Sequence, residues 1–224
     1  LTSRIYNCIF AGNSGALAFL SGNPGAVDAK IANSTFSQNG EFPILKNWDE
    51  DFNYTNYYNL IDIANSIIWE AAPVEKIFYN NDPVDFTIHD YFIHHSLLST
   101  SDCEVAGVNA CGEGMLLETN PLFFDPTNHD FRLASCSPAL NAGDNLTINE
   151  LGIPFDLESG SRILENLVDM GAYERLSFSV DIDSILPATC NGGSVHFDIT
   201  GDEPYTFSWS NKTQTGSETT NLDS

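Results

Sequence analysis

A short motif recurs four times in the first hundred residues, and its spacing constrains the fold more than any other feature of the chain. Ile5-Tyr6-Asn7-Cys8-Ile9-Phe10 aligns with Ile31-Ala32-Asn33-Ser34-Thr35-Phe36 and with Ile63-Ala64-Asn65-Ser66-Ile67-Ile68. A looser fourth copy is Ile93-His94-His95-Ser96-Leu97-Leu98, and the offsets are 26, 32 and 30 residues. The segments are short, β-branched, alternating and bounded by Asn and Gly, which reads as strands joined by tight corners. Helices do not fit, because no apolar stripe of helical spacing persists for three turns. A corner in the left-handed backbone region suits Asn or Gly. Asn7, Asn33 and Asn65 are therefore expected at one corner of successive rungs, each hydrogen-bonding its neighbours in a ladder. Strands about 4.8 Å apart and about thirty residues per turn predict a parallel β-solenoid. Ile5, Ile31, Ile63 and Ile93 would form one inward column, and Phe10, Phe36, Ile68 and Leu98 another. Two of the copies close with a further Asn three places on, Asn13 and Asn39.

The second copy is followed by a longer spacing, which reads as an insertion over Phe42–Leu60 that leaves the solenoid on one face. It carries Trp48, Tyr54, Tyr57 and Tyr58. Their flat apolar faces and polar tips suit sugar rings or protein partners, and suit packing over the solenoid wall equally well in kind.

Eight Lys and Arg against 31 Asp and Glu leave a formal net charge of −23 on 224 residues. Phosphate backbones and anionic membrane surfaces demand the opposite sign, which excludes nucleic acid and such membranes as expected partners. Leu, Ile, Val and Phe still supply 60 of the residues, above the floor of disordered chains, so the chain is expected to fold. No apolar run reaches the roughly 18 residues of a membrane span. The start at Leu1-Thr2-Ser3-Arg4 lacks a signal-peptide pattern and reads as a cut through a longer protein. Of five cysteines, Cys103 and Cys111 lie close together around a Gly-containing loop, an arrangement suited to a disulfide in an oxidising, extracytoplasmic compartment.

Residues 120–174 carry a second series of motifs. Asn120-Pro121-Leu122-Phe123 and Asp130-Phe131-Arg132-Leu133 are followed by Ser137-Pro138-Ala139-Leu140-Asn141-Ala142-Gly143. Asp156-Leu157 with Arg162, and Val168-Asp169-Met170-Gly171-Ala172-Tyr173-Glu174, complete it. The series resembles the C-terminal end of bacterial surface proteins with right-handed parallel β-helix repeats, the choice-of-anchor Q class. One departure is Gly160, which sits one position late between Asp156 and Arg162. The resemblance covers about residues 1–175 and implies the fold and a cell-surface setting, but no single catalytic activity. It also implies a structural Arg162, with Asp156 or Asp169 as its partner. Beyond it, Cys190-Asn191-Gly192-Gly193-Ser194-Val195 leading to Pro204-Tyr205-Thr206-Phe207-Ser208-Trp209 resembles the start of the SprB-type immunoglobulin-like adhesin repeat. The expected architecture is all-β: a right-handed parallel β-helix over 1–176, its C-terminal rungs, then a partial immunoglobulin-like β-sandwich over 177–224. Cys190 would be left without its partner.

Other chemistry-bearing residues are read conservatively. His89, His94 and His95 have a suggestive spacing, but His95 falls in the Asn column and His94 on the outward position before it, so they are read as strand positions rather than metal ligands. Asp125, Asn128 and Asp130 are read as a Pro/Asn turn rather than a calcium loop. So acidic a surface suits weak calcium binding, which no motif places; no cofactor or metal site is assigned. The basic residues Arg4, Lys30, Lys46, Lys76, Arg132, Arg162, Arg175 and Lys212 are scattered, unlike the clustered base and acids of a polysaccharide lyase. The reading is a non-catalytic structural or adhesive segment of a large secreted or cell-surface bacterial protein, with glycans or surface proteins as partners. Its alternative is a polysaccharide-binding or polysaccharide-processing β-helix with active rungs upstream.

Overall fold

The computed structural model describes residues 2–14, 17–21, 28–40, 45–49, 58–70, 78–81, 88–105, 108–177, 179–189, 192–200, 207–208, 213–214 and 218–222. The chain divides into two compact units, Leu1–Glu174 and Arg175–Ser224.

The first unit opens with repeats of three short strands. β1 (Thr2–Tyr6), β2 (Ile9–Ala11) and β3 (Leu17–Ser21) are followed by β4 (Asp28–Ala32), β5 (Thr35–Ser37) and β6 (Leu45–Asp49). Next come β7 (Tyr58–Ala64), β8 (Ile67–Trp69) and β9 (Phe78–Asn81), then β10 (Ile88–His94) and β11 (Leu97–Leu98). A small antiparallel hairpin, β12 (Glu104–Val105) and β13 (Val108–Asn109), precedes β14 (Leu116–Leu117). Pairing between repeats is parallel throughout. One sheet runs β1-β4-β7-β10, a second β2-β5-β8-β11-β14, and a third β3-β6-β9. The register is that of the motif: Ile5 faces Ile31, Ile31 faces Ile63 and Ile63 faces Ile93. Phe10, Phe36, Ile68, Leu98 and Leu117 are aligned in the same way in the second sheet.

The third sheet corrects the expected insertion. Leu45–Asp49 lies within Phe42–Leu60, yet it is a regular strand paired with β3 and β9, with Trp48 opposite Leu20 and Asn81.

The corner between the first two sheets is only two residues long. Asn7, Asn33, Asn65 and His95 take it with φ of 51°, 46°, 48° and 44°. The residue after each is Cys8, Ser34, Ser66 or Ser96, and these form the ladder at the corner. The backbone N–H of Cys8 donates to Ser34 Oγ (3.3 Å), that of Ser34 to Ser66 Oγ (3.2 Å), and that of Ser66 to Ser96 Oγ (3.1 Å). Each hydroxyl then donates to the carbonyl two residues back, Ala32, Ala64 or His94. The Cys8 thiol donates to Tyr6 O in the same manner; burial pushes its pKa up, which keeps the proton in place. Where the second-sheet strands end, Asn13 donates to Asn39 Oδ1, Asn39 donates to the Glu70 carboxylate, and Glu70 N–H to Ser99 Oγ.

Ile31, Phe36, Ile61, Ile63, Ile68, Ile93 and Leu98 fill the space between the first two sheets and are at most 1% exposed. Phe10 stacks on Phe36 with ring centroids 4.7 Å apart. The second sheet is buried on its other face as well, where Ile67 and Leu97 pack against Leu133, Ala139 and Met170. That cover is the chain from β15 (Phe123–Asp125) and β16 (Asp130–Leu133), an antiparallel pair, through the one helix among the described residues, α1 (Asn145–Leu151), to Glu174. Ile148 of α1 packs on Ala32 with Ile153 and Val168.

The second unit is antiparallel. β17 (Ser179–Thr189) pairs with β18 (Gly192–Thr200); β19 (Phe207–Ser208) pairs with β20 (Thr213–Gln214); and β21 (Glu218–Leu222) pairs with β18.

Ser66→Ala tests the corner. Ser66 is fully buried, and losing its hydroxyl strands the buried N–H of Ser34. A loss of about 1–3 kcal/mol is expected, read from urea unfolding with unchanged m-value.

Candidate functional site

The residues singled out by the sequence converge on one seam, where the segment 141–174 lies along the left-handed corner. The Asn side chains were expected to bond chiefly to one another. One such bond exists, Asn65 Nδ2 to Asn33 Oδ1, at the long limit of 3.5 Å. The shorter bonds run across the seam instead. Asn7 Nδ2 donates to Phe155 O (2.6 Å), Asn33 Nδ2 to Asp169 O (3.2 Å) and Asn65 Nδ2 to Asp144 O (2.9 Å). Asp144 N–H donates back to Asn65 Oδ1 at 2.7 Å. Asn33 and Asn65 are fully buried, so each amide needs partners, and backbone from far along the chain supplies them.

The motif Val168–Glu174 is shaped for this contact. Gly171 has φ of 96°, its N–H donates to Asn65 O, and the next N–H, of Ala172, donates to Thr35 Oγ1. A Cβ at Gly171 would lie 2.9–3.0 Å from Ile67 and Thr35 side-chain atoms, so only Gly fits against the sheet.

Arg162 is fully buried behind this segment. Its guanidinium donates to the carbonyl oxygens of Gly171 and Ala172. Of the two expected partners, Asp156 and Asp169, Asp156 also braces the turn with the late Gly160. Its carboxylate accepts from the N–H groups of Gly160 (2.7 Å) and Glu174 (3.0 Å). Asp169 accepts from Asn141 N–H at 2.7 Å. Burial lowers the Arg162 pKa, and the charges of Glu174, Asp156 and Asp169 oppose that shift. Glu174 is pushed up to about 8, first by burial and then by the Asp169 carboxylate, while it accepts hydrogen bonds from Asp169 and Leu164 N–H. Beside this cluster Ile148, Ile153, Pro154, Arg162 and Ile163 line a mainly apolar depression of about 380 Å³.

Cys103 and Cys111 are joined in a disulfide with Cα atoms 5.5 Å apart. Cys190 lies outside the described residues, as do Tyr54 and Tyr57; Trp48 and Tyr58 are described only by their backbone in β6 and β7. Asp125 caps the short turn Pro126–Asn128 by accepting from Asn128, and Asp130 chelates Arg132 through two hydrogen bonds.

A further cluster joins residues distant in sequence. His94 closes β10 and His95 turns the corner; their Nδ1 atoms are 3.2 Å apart. Asp144 reaches them from the seam as the N-cap of α1, where it accepts from Leu146 N, Thr147 N and Thr147 Oγ1. Burial raises its pKa, but those bonds and the neighbouring His95 outweigh it and hold the carboxyl below its ordinary range. The Asp144-Asn145-Leu146-Thr147 cap is legible in sequence, but nothing there links it to the histidines.

Comparison with family models, with curated proteins and with solved structures finds no match.

The seam yields two expectations. Arg162→Ala leaves three carboxylates facing one another without their buried cation and should cost on the order of 3–5 kcal/mol, read as a lower melting temperature and urea midpoint. Glu174 also makes stability depend on pH. Its folded-state pKa lies above its unfolded value, so its contribution is fully present below about pH 4.5 and is lost as pH rises through about 8. Glu174→Gln, which keeps the acceptor oxygen and removes the titration, should flatten the decline in urea midpoint between pH 5 and 9.

Proposed function

We propose that the first unit is the C-terminal part of a right-handed parallel β-helix. The second is then the opening strands of an immunoglobulin-like adhesin repeat, and the whole is a non-catalytic structural and adhesive segment of a large secreted or cell-surface bacterial protein. The observation that carries this reading is how the distinctive polar residues are used. Asn7, Asn33, Asn65, Asp156, Arg162 and Asp169 all hydrogen-bond backbone groups of the segment 141–174. Side chains committed to fastening a covering segment onto the sheets serve the fold, not a reaction centre.

Further features support it. Parallel sheets with one strand per repeat are the arrangement a β-helix requires, and an antiparallel sheet is what a sandwich begins with. The Cys103–Cys111 disulfide suits an oxidising, extracytoplasmic setting. Arg4, Lys30 and Arg132 are paired with Asp28, Asp62 and Asp130, which withdraws them from the role of a lyase base. The charge of −23 keeps such a rod soluble and repels similar surfaces. Among the described residues no helix is long and apolar enough to cross a membrane.

The test is incubation of the purified chain with neutral and acidic polysaccharides, following new reducing ends and the absorbance of unsaturated uronates. Neither should rise above a heat-inactivated control, while arrays of glycans and surface proteins should reveal binding. Turnover of any polymer overturns the non-catalytic assignment; a blank on every array overturns the adhesive one.

A further inference from the structure

We propose that His94, His95 and Asp144 form a binding site for one zinc-class divalent metal ion. The first support is distance. Two imidazole nitrogens bound to one tetrahedral zinc at about 2.0–2.1 Å stand about 3.3 Å apart. The Nδ1 atoms of His94 and His95 stand 3.2 Å apart. A carboxylate oxygen of Asp144 completes the group, all three ligand atoms lying within 4.8 Å of one another. Two bonds to one ion span at most about 4.2 Å, so Asp144 closes by a small side-chain movement or binds through a water. All three residues are partly exposed, which leaves room for water ligands.

The second support is tautomer. His94 Nε2 lies 3.3 Å from Asp62 Oδ1, and Asp62 is itself held by Lys30 at 3.2 Å. A proton kept on Nε2 by that nearby carboxylate leaves the lone pair on Nδ1, the nitrogen that stands next to His95. A carboxylate behind the distal nitrogen is the usual support of a metal-bound imidazole.

The third is room. The segment passing over the pair carries glycine at both near positions. A Cβ at Gly114 would collide with the His95 ring, and one at Gly112 would meet His94 Cβ at 3.1 Å and Phe92 at 3.0 Å.

The fourth is the repeat. His94 occupies the position of Ala32 and Ala64, and His95 that of Asn33 and Asn65. The backbone therefore asks only for Ala and Asn here, and the imidazoles are an addition in one repeat alone. Two imidazoles with one carboxylate select zinc or a neighbouring transition metal over calcium and magnesium, which take oxygen shells.

The same repeat supplies the decisive variant. His94→Ala with His95→Asn restores the Ile-Ala-Asn-Ser of the second and third copies and retains the left-handed corner. The intact chain is titrated with zinc against a chromophoric chelator, with excess calcium present to occupy oxygen sites on the acidic surface. Imidazole nitrogens are followed by ¹⁵N NMR. Wild type should take up one equivalent, with both Nδ1 resonances shifted and His94 Nε2 still protonated. The double variant should lose that equivalent, and Asp62→Asn should weaken it about 10- to 100-fold. Equal zinc uptake by the double variant overturns the proposal. So does a wild type that binds no stoichiometric zinc or whose Nδ1 resonances do not move; the 3.2 Å contact is then an N–H···N hydrogen bond and nothing more.

Discussion

The two-residue corner is the constraint on which the first unit depends. Turning a strand of one sheet into a strand of the next within two residues puts a positive φ at the first and takes the N–H of the second out of ordinary strand pairing. A side chain with both donor and acceptor at the second position repairs the ladder, accepting the N–H of the preceding repeat and donating to its own strand's last carbonyl. Because that repair is internal, Ser34 and Ser66 are fully buried with their N–H groups satisfied. The isoleucines on one side of the corner and the aromatic and aliphatic residues on the other are thereby fixed to the same interior. Register follows from the corner as much as from the apolar columns.

A corner built from Asn creates a further demand. The amide at the positive-φ position has two donors and an acceptor beyond those the parallel sheets use, and at Asn33 and Asn65 water is excluded. The segment 141–174 answers with carbonyls and an N–H, and the bonds join residues 79, 136 and 148 positions apart. The same segment covers Ile67 and Leu97 and so buries the second sheet on both faces, as parallel sheets generally are. Arg162 then has a clear purpose. The tight turn at Gly171 and Ala172 exposes two carbonyls inward, and a buried guanidinium is the side chain best able to satisfy both at once. Burial first, and the Asp169 carboxylate beside it second, make Glu174 hold its proton toward neutral pH.

What the sequence made legible follows from which interactions are local. The Ile-x-Asn-Ser pattern placed two sheets in register because the corner and both adjoining strands fall within six residues. The third sheet was missed: Leu17–Ser21, Leu45–Asp49 and Phe78–Asn81 share no pattern, and their common feature is backbone pairing, which side chains do not report. The Ser column was visible in the alignment, but its hydroxyls matter through donors one repeat away, so the ladder was assigned to Asn. Arg162 was placed among structural residues by resemblance, while its carbonyl partners depended on the conformation of Gly171. Asp144 carried a readable helix cap, yet its proximity to His94 and His95 arises only when the seam closes.

The repeat also explains where novelty can enter such a chain. Interior columns are restricted by packing, the corner by backbone conformation, and the Ser column by the ladder, so substitution at any of these costs stability. The position just before the corner is different. It is Tyr6, Ala32, Ala64 and His94 in successive repeats, aligned by strand pairing yet varied in size and chemistry. Tyr6 and Ala32 are covered by the seam, where Ile148, Ile153 and Val168 pack on Ala32. At the fourth repeat the overlying chain is glycine at Gly112 and Gly114, and a ring fits where a methyl group stood before. The space for two imidazoles is therefore made by the neighbouring layer, and His94 before the corner with His95 on it leaves the Ser66–Ser96 ladder bond in place.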